Sequence, residues 1–427
     1  MIKIIGAGLA GSEAAYYLAN KGYKVKLYEM RPKKNTPAHV TKNFAELVCS
    51  NSFRSNDPLN AVGLLKVEMT HFNSLILEAA HIHKVPAGSS LAVDRNLFSE
   101  YVTEKIKNHE NIEVIHEEVT SLNPNEYTII AAGPLASDLL SKQIQHHLHL
   151  ESLNFFDAVA PIIDAKSINM DIAYLKSRYD KDEAAYINCP MNKQEYLEFY
   201  KALMTAESVA PKDFENNVFE GCMPVEDMGK RGIDTLRFGP LKPVGLTKPN
   251  GEKPYAVVQL RQDDVNKTMY NMVGFQTHMK WGDQKRVIQM IPGLENAEIL
   301  RYGVIHKNTY LESPKHLNNA FQVRDIPKWF FAGQISGVEG YIESAASGLN
   351  VAINLHNLLT QGEIRPLPVD TMMGAMARYI SNYHQYFVPM NANFGLFDQI
   401  EAHKTVRKQM YHDRSINALK EYIKGGI

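Results

Sequence analysis

With 427 residues, the chain exceeds one ordinary core and falls short of three, so two domains are expected, one interrupting the other. A composition 44% hydrophobic and 22% charged excludes wholesale disorder, and 46 Lys plus Arg against 47 Asp plus Glu excludes nucleic-acid binding by bulk charge, though not through a local basic face. Three cysteines cannot build a disulfide framework, the start Met1-Ile-Lys-Ile-Ile-Gly6 lacks the form of a signal peptide, and no apolar run reaches the ~18 residues of a membrane span, so a soluble, cytosolic protein is expected.

In chain order, Ile2 to Ile5 reads as a short strand, Gly6 to Gly11 as a Gly-rich turn, Ser12 to Lys21 as a helix, and Tyr23 to Glu29 as a second strand. Strand, turn, helix, strand begins a parallel α/β sheet. Residues 31–58 show no periodicity and form a long loop carrying Cys49. Ala61 to Ala80 reads as one helix, and Asp94 caps another through Lys107. Ile112 to Ile115 and Tyr127 to Gly133 are strands, and Leu135 to Leu148 is helical. From about 151 to 317 the chain is rich in Pro, Gly, Tyr and Met, its helices are few, and strands at Tyr255 to Leu260 and Met269 to Gln276 predict mixed or antiparallel pairing. The α/β pattern returns at Lys328 to Gly333 and Ala345 to Leu359, and helices at Asp370 to Tyr383 and Ala402 to Ile423 close the chain. The fold class is therefore α/β. A doubly wound, Rossmann-like domain of residues 1–150 and 318–427 is interrupted by a mixed α+β insertion of residues 151–317.

Gly6-Ala7-Gly8-Leu9-Ala10-Gly11 fits a plain tight turn or a dinucleotide fingerprint. Its context favours the second, because it follows a strand, opens a helix, and is followed by Glu29 at the end of the next strand. Amides at that helix start would hold a pyrophosphate, and Glu29 would bond a ribose hydroxyl. A second Gly-rich stretch, with Gly333, Gly337 and Gly340, again joins a strand to a helix. It fits either small-residue helix packing or the closure of a flavin site, presenting amides to the flavin pyrimidine edge. No separate nicotinamide fingerprint follows, so FAD is the expected resident cofactor.

Cys49, among Ser, Asn and Arg54, and Cys222, in Glu220-Gly221-Cys222-Met223-Pro224, lie on no apolar helical face, whereas Cys189 follows an apolar strand and reads as packing. No cysteine or histidine shows metal-ligand spacing, so no metal is expected.

Many separated stretches carry a resemblance: Gly8-Leu-Ala-Gly-Ser-Glu-Ala-Ala15, Tyr28-Glu-Met-Arg-Pro32, Cys49-Ser-Asn-Ser-Phe-Arg54, Asn60-Ala-Val-Gly-Leu-Leu-Lys66, Pro86-Ala-Gly88, Asn188-Cys-Pro-Met191, Glu220-Gly-Cys-Met-Pro224, Arg231 to Pro243, Gly274-Phe-Gln-Thr-His278 and Gly337-Val-Glu-Gly-Tyr341. Nearly end to end, the chain resembles the folate- and FAD-dependent tRNA (uracil-5-)-methyltransferase family. Ala7 departs from it, standing where the family usually has a third glycine. The resemblance implies 5-methyluridine formation in the tRNA T-loop. Methylenetetrahydrofolate gives the carbon, reduced flavin carries it and supplies the hydride, and NAD(P)H replenishes the flavin. It also implies that Cys49 and Cys222 are the catalytic pair. A thiolate added at carbon 6 of uracil makes carbon 5 nucleophilic, and a second group must remove the carbon 5 proton. Cys222 is the expected nucleophile and Cys49 the proton handler; the reversed assignment fits the same motifs.

The pterin of folate needs a flat surface, for which His278 and Trp281 are candidates, with Arg54 a further substrate contact. Lys280, Lys285 and Arg286, or Lys404, Arg407 and Lys408, are candidate RNA contacts, each reading equally as a solvated charge run. No DNA or membrane partner is expected. The same chemistry on a ribosomal RNA uridine, and a small-molecule flavin oxidoreductase, stand as alternatives. So does a flavin- and RNA-binding protein without transfer activity.

Overall fold

Ile2–Ile5 (β1), with three buried isoleucines, opens the chain as the central strand of a parallel sheet. The computed structural model describes residues 1–150, 154–158, 160–180, 184–209, 223–264, 266–303, 305–384, 387 and 389–426. Leu9–Asn20 (α1) packs its wholly buried Ala14, Ala15 and Leu18 on the sheet, and Val25–Tyr28 (β2) returns parallel to β1. Ser52–Ser55 (β3), Ala61–Thr70 (α2), Leu75–Ile82 (α3), Lys84–Val85 (β4), Ser90–Val93 (β5), Arg95–Lys107 (α4), Ile112–Ile115 (β6), Thr128–Ile130 (β7) and Asp138–Leu148 (α5) follow. The single helix expected over Ala61 to Ala80 is two. Asn73 turns left-handed at φ 55°, and the Ser74 hydroxyl caps the second helix by accepting from the Leu77 amide. Asp94 caps α4 as expected, accepting from the Asn96 and Leu97 amides.

The middle of the chain comprises Asn154–Ala158 (β8), Ile162–Asp164 (β9), Tyr174–Leu175 (β10), Tyr186–Met191 (β11), Lys193–Met204 (α6), Val225–Lys230 (α7), Thr235–Phe238 (α8), Ala256–Gln262 (β12), Met269–Met272 (β13), Trp281–Ile288 (α9), Ile299–Arg301 (β14) and Ile305–Thr309 (β15). Ser313–His316 (α10), Trp329–Phe331 (β16), Tyr341–Gln361 (α11), Met372–Ser381 (α12) and Lys404–Lys424 (α13) complete it. Helix α6 is more than the sequence reading allowed. It is opened by a capping box in which Asn192 accepts from the Glu195 amide and Glu195 accepts from the Asn192 amide.

The first sheet, in the order β16-β7-β1-β2-β6, is parallel throughout, the doubly wound arrangement expected. A second sheet, β10-β11-β12-β13-β9-β14, is antiparallel, and β8 pairs antiparallel with β15. The two larger sheets each have their own apolar core. One draws on residues between Ile2 and Leu148 and again between Leu311 and Tyr422, the other on residues between Ile163 and Ala297.

Two wholly buried glutamates tie the helices of the first core together. Glu13 accepts from the Ile76 amide, and Glu68 accepts from the Met372 and Met373 amides and the Ser415 hydroxyl. Burial pushes both carboxyls up to about 7, against the pull of these hydrogen bonds. Each folded value lies above the unfolded one, so this contribution to stability is full below about pH 4.5 and is lost as pH rises through about 7. Glu68→Gln should therefore flatten the fall in urea stability between pH 4.5 and 8 by about 3 kcal/mol. Parallel pH curves for the two proteins would remove Glu68 from that account.

Candidate active site

In an open parallel sheet, a ligand crevice forms at the carboxyl ends of the strands, where the connections part to opposite faces. Here a cleft of about 1020 Å³ of free space, part of it open to solvent, lies there. Gly6 and Gly8 follow β1, Glu29 follows β2, Glu117 follows β6, Gly133 follows β7, and Gly333 and Gln334 follow β16; all line it. Both Gly-rich stretches thus meet at one place. The reason is close backbone approach: a Cβ on Gly348 of α11 would stand 2.2 Å from the Ala10 carbonyl oxygen of α1. A Cβ on Gly11 would stand 1.9 Å from the Gly6 carbonyl oxygen, so α1 can start this near β1 only with glycine there. Ala7 is fully buried and needs no left-handed backbone, so its methyl is accommodated where the resembled family usually has a third glycine.

Ala7 also fixes Glu29, its amide donating to Oε2 at 3.1 Å. The Arg31 amide and Nε both donate to Glu29 Oε1 at 3.0 Å, and Arg31 Nη1 reaches Glu46 at 3.1 Å. Burial pushes the Glu29 carboxyl up, but Arg31 and these amides outweigh it and hold it below the ordinary range. His39, also lining the cleft, is pushed down to about 4, by burial first and then by Arg31, so its ring is neutral at pH 7.

Cys49 is half-buried in the loop between β2 and β3, and its amide donates to the Tyr341 hydroxyl at 2.6 Å. The Ser50 amide donates to the same oxygen at 3.1 Å, tying the thiol loop to the first residue of α11, which lines the cleft. Three arginines from separate parts of the chain surround this loop. Arg95 donates to the Leu47 carbonyl and pairs with Asp263; Arg261 of β12 donates to Asn51 Oδ1 at 2.9 Å; Arg301 of β14 donates to the Ala38 carbonyl. Burial works against the charge of Arg95, but Asp263 outweighs it and raises that group; burial, then Arg95, lowers Arg301. Arg261 is lowered by burial, with Tyr186, Asp263 and Cys49 pulling the other way. All three count Cys49 among their electrostatic neighbours. A thiolate is favoured by such neighbours. In protein carrying Cys222→Ser, the further change Arg261→Met should slow iodoacetamide alkylation of Cys49 at pH 7 about tenfold, with Arg261→Lys partly restoring it. Equal rates across the three proteins would leave Arg261 a packing residue.

Sequence reasoning missed Arg95, Arg261, Arg301 and Tyr341. One signal was available: Arg261 directly continues the mostly apolar run Ala256-Val-Val-Gln-Leu260, and in the structure the strand is buried at all seven residues, where a charge marks a partner.

Arg54 is 44% exposed, adopts a left-handed φ of 62°, and pairs at 2.8 Å with the wholly buried Glu343 of α11. Cys189 is buried in β11, and burial pushes its thiol up. Cys222 lies outside the described residues; Met223 and Pro224 lead from it into α7. His278 and Trp281 do not share a surface. His278 is buried, its Nε2 2.7 Å from Asp227 and its amide donating to Glu226, whereas Trp281 is 62% exposed and stacks on Tyr302 at 5.1 Å. Of the two basic groups, Lys280 is paired with Glu207 and Arg286 with Asp283, while Arg407 donates to Ala402 and Lys408 to Asn60. Nothing is described of the Lys404 side chain.

Residues 1–363 match the family described as Glucose inhibited division protein A. A methylenetetrahydrofolate--tRNA-(uracil-5-)-methyltransferase TrmFO of Acholeplasma laidlawii is 98% identical over 427 residues, covering 100% of both chains. Proteins of the same name from Listeria monocytogenes and Staphylococcus aureus are each 56% identical, covering 98% and 99% of this chain and 98% of their own. Among solved structures, Aquifex aeolicus GidA superposes with a TM-score of 0.70 at 15% identity, over 99% of this chain and 73% of its own, a likeness of fold. Among the described residues, no helix is long and apolar enough to cross a membrane. The chain belongs to the glucose inhibited division protein A family and, within it, to the methylenetetrahydrofolate--tRNA-(uracil-5-)-methyltransferases.

Proposed function

We propose that this chain methylates carbon 5 of a T-loop uridine in tRNA, with methylenetetrahydrofolate as carbon donor, FAD as resident cofactor and NAD(P)H as reductant. The observation that carries this reading is 98% identity, over the whole length, with a methyltransferase of that name. A tRNA substrate gives the enzyme a cytoplasmic place of action. Cofactor binding is assigned to residues 1–150 and 318–427, and residues 151–317 face folate and RNA.

The cleft suits FAD on two counts. It joins the starts of two helices, and a Cβ on Gly8 would project into space empty of protein atoms, the open approach a pyrophosphate requires. The amides of Gly8, Leu9 and Ala10 would hold the pyrophosphate, Glu29 a ribose, and the turn through Gly333, Gly337 and Gly340 the pyrimidine edge. Bound there, FAD supplies the hydride that completes the methyl group.

The chain's own chemistry is acid–base and nucleophilic. Cys222, as thiolate, adds to carbon 6 of uracil, and the displaced electron pair makes carbon 5 the nucleophile that takes the one-carbon unit. Cys49, held beside Arg95, Arg261 and Tyr341, then removes the carbon 5 proton, whose electron pair expels the donor amine and leaves an exocyclic methylene on the ring; hydride addition to that methylene completes the methyl group and drives out the Cys222 thiolate as the ring double bond re-forms. Trp281 on Tyr302 offers the pterin its flat surface, and Arg54 contacts substrate.

The test is transfer of label from methylenetetrahydrofolate to tRNA transcripts with FAD and NAD(P)H present. Label in one T-loop uridine is expected. Label only in ribosomal RNA would overturn the substrate, and transfer from S-adenosylmethionine in its place would overturn the donor.

A further inference from the structure

The segment joining α7 to β12 combines firm anchoring with unusual exposure. Leu236, Leu241 and Leu246 are fully buried, yet between them Phe238 is 80% exposed, flanked by the exposed Ile233 and Val244. This is no loose end. Arg237 lies 3.6 Å over the Tyr255 ring and donates to the Tyr255 carbonyl. Arg178 donates to the carbonyls of Lys242 and Val244, and the Tyr179 amide to that of Gly245, which brings the exposed Tyr179 beside the same turn. The segment is also basic. Residues 230–248 hold Lys230, Arg231, Arg237, Lys242 and Lys248 against Asp234 within the stretch, and Lys230, Arg237 and Lys248 pair with Asp227, Asp234 and Glu252. Arg231 and Lys242 are exposed. The segment begins one short helix beyond Cys222.

Fixed, exposed aromatics between cations are what single-stranded nucleic acid requires, since bases stack on rings while phosphates meet the charges. A second copy of the chain fits badly, because a two-fold contact would set like charges against each other. The geometry points to this face, with Phe238 at its centre, as the platform that receives unpaired nucleotides of the RNA. Phe238 stacks on a base, and Arg231 and Lys242 meet phosphates. The inference rests on the reading of the chain as a tRNA methyltransferase and names the RNA surface it uses.

The experiment is tRNA binding by filter retention and folate-dependent methylation, on holoenzyme. Phe238→Ala should raise both Kd and KM for tRNA about tenfold, Phe238→Trp should restore them, and FAD content with NAD(P)H oxidation should stay at wild-type levels. Lys242→Ala should lower the log–log salt slope of binding by about 0.7 to 0.9. Unchanged Kd and KM in Phe238→Ala, beside a wild type that methylates tRNA, overturns the platform and spares the function. A wild type that neither binds nor methylates tRNA overturns both. A wild-type dimer split by Phe238→Ala, with tRNA binding intact, makes the face a self-contact and also overturns the inference.

Discussion

Cys222→Ala is expected to abolish methyl transfer, by roughly 10³-fold or more, while the protein keeps its FAD and still oxidises NAD(P)H. The physical reason is division of labour. Uracil carbon 5 carries too little electron density to attack the one-carbon unit until a thiolate has added at carbon 6, and no other group in the proposed scheme can supply that addition. Flavin reduction needs only a hydride donor against the ring. Every residue assigned to the cofactor belongs to the parallel-sheet part of the chain, none to the segment of Cys222. Cys49→Ala should differ in kind. It spares the addition at carbon 6 but leaves carbon 5 with its proton, so denatured enzyme should retain covalently attached RNA. Radiolabelled tRNA followed through denaturing gels separates the two. RNA trapped on Cys222→Ala rather than on Cys49→Ala would exchange the roles of the thiols, and near wild-type transfer by Cys222→Ala with no RNA trapped would remove that thiol from the reaction.

The parts of this site that the sequence made legible are those built by short stretches of chain. The run from β1 through α1 to β2 writes the turn, the helix start and Glu29 within thirty residues, so strand alternation, glycine spacing and a single acid sufficed to place them. Local signals also explain two misreadings. Asn73 and Ser74 break what apolar periodicity alone reads as one helix, and Asn192 with Glu195 opens a helix in a region judged poor in them. Helix α11 begins at Tyr341 rather than Ala345 because the chain enters it from Gly340 at φ 113°, a backbone that apolar spacing does not register. The surroundings of Cys49 were illegible for a different reason. Arg95, Arg261 and Arg301 approach it from α4, β12 and β14, and only the packing of the second sheet against the thiol loop brings them together. Within the middle of the chain, Glu226 and Asp227 of α7 hold His278 inward, while Trp281 stacks outward on Tyr302. Spacing along the chain carries no information about either.

Gly8→Val and Gly11→Val should both yield colourless enzyme, and for distinguishable reasons. At Gly11 the obstacle lies within the protein: even a methyl group would stand 1.9 Å from the Gly6 carbonyl oxygen, so the start of α1 must move away from β1. That displacement disturbs the floor of the cleft, and it should lower the thermal midpoint of the protein along with its flavin content. At Gly8 a Cβ meets no protein atom within 4 Å, and its φ of −74° suits any L residue, so the apoprotein should fold with an unchanged midpoint. The added side chain would instead occupy the space in front of the helix amides, where the pyrophosphate has to come close. Flavin affinity should therefore fall at least about tenfold, the loss of one good charge-assisted hydrogen bond. Thermal melts of the apoproteins and flavin absorbance after gel filtration separate the two effects. Full retention of FAD by a well-folded Gly8→Val would move the pyrophosphate away from the start of α1. The pairing of that helix with the second Gly-rich turn would then be a matter of close helix packing alone.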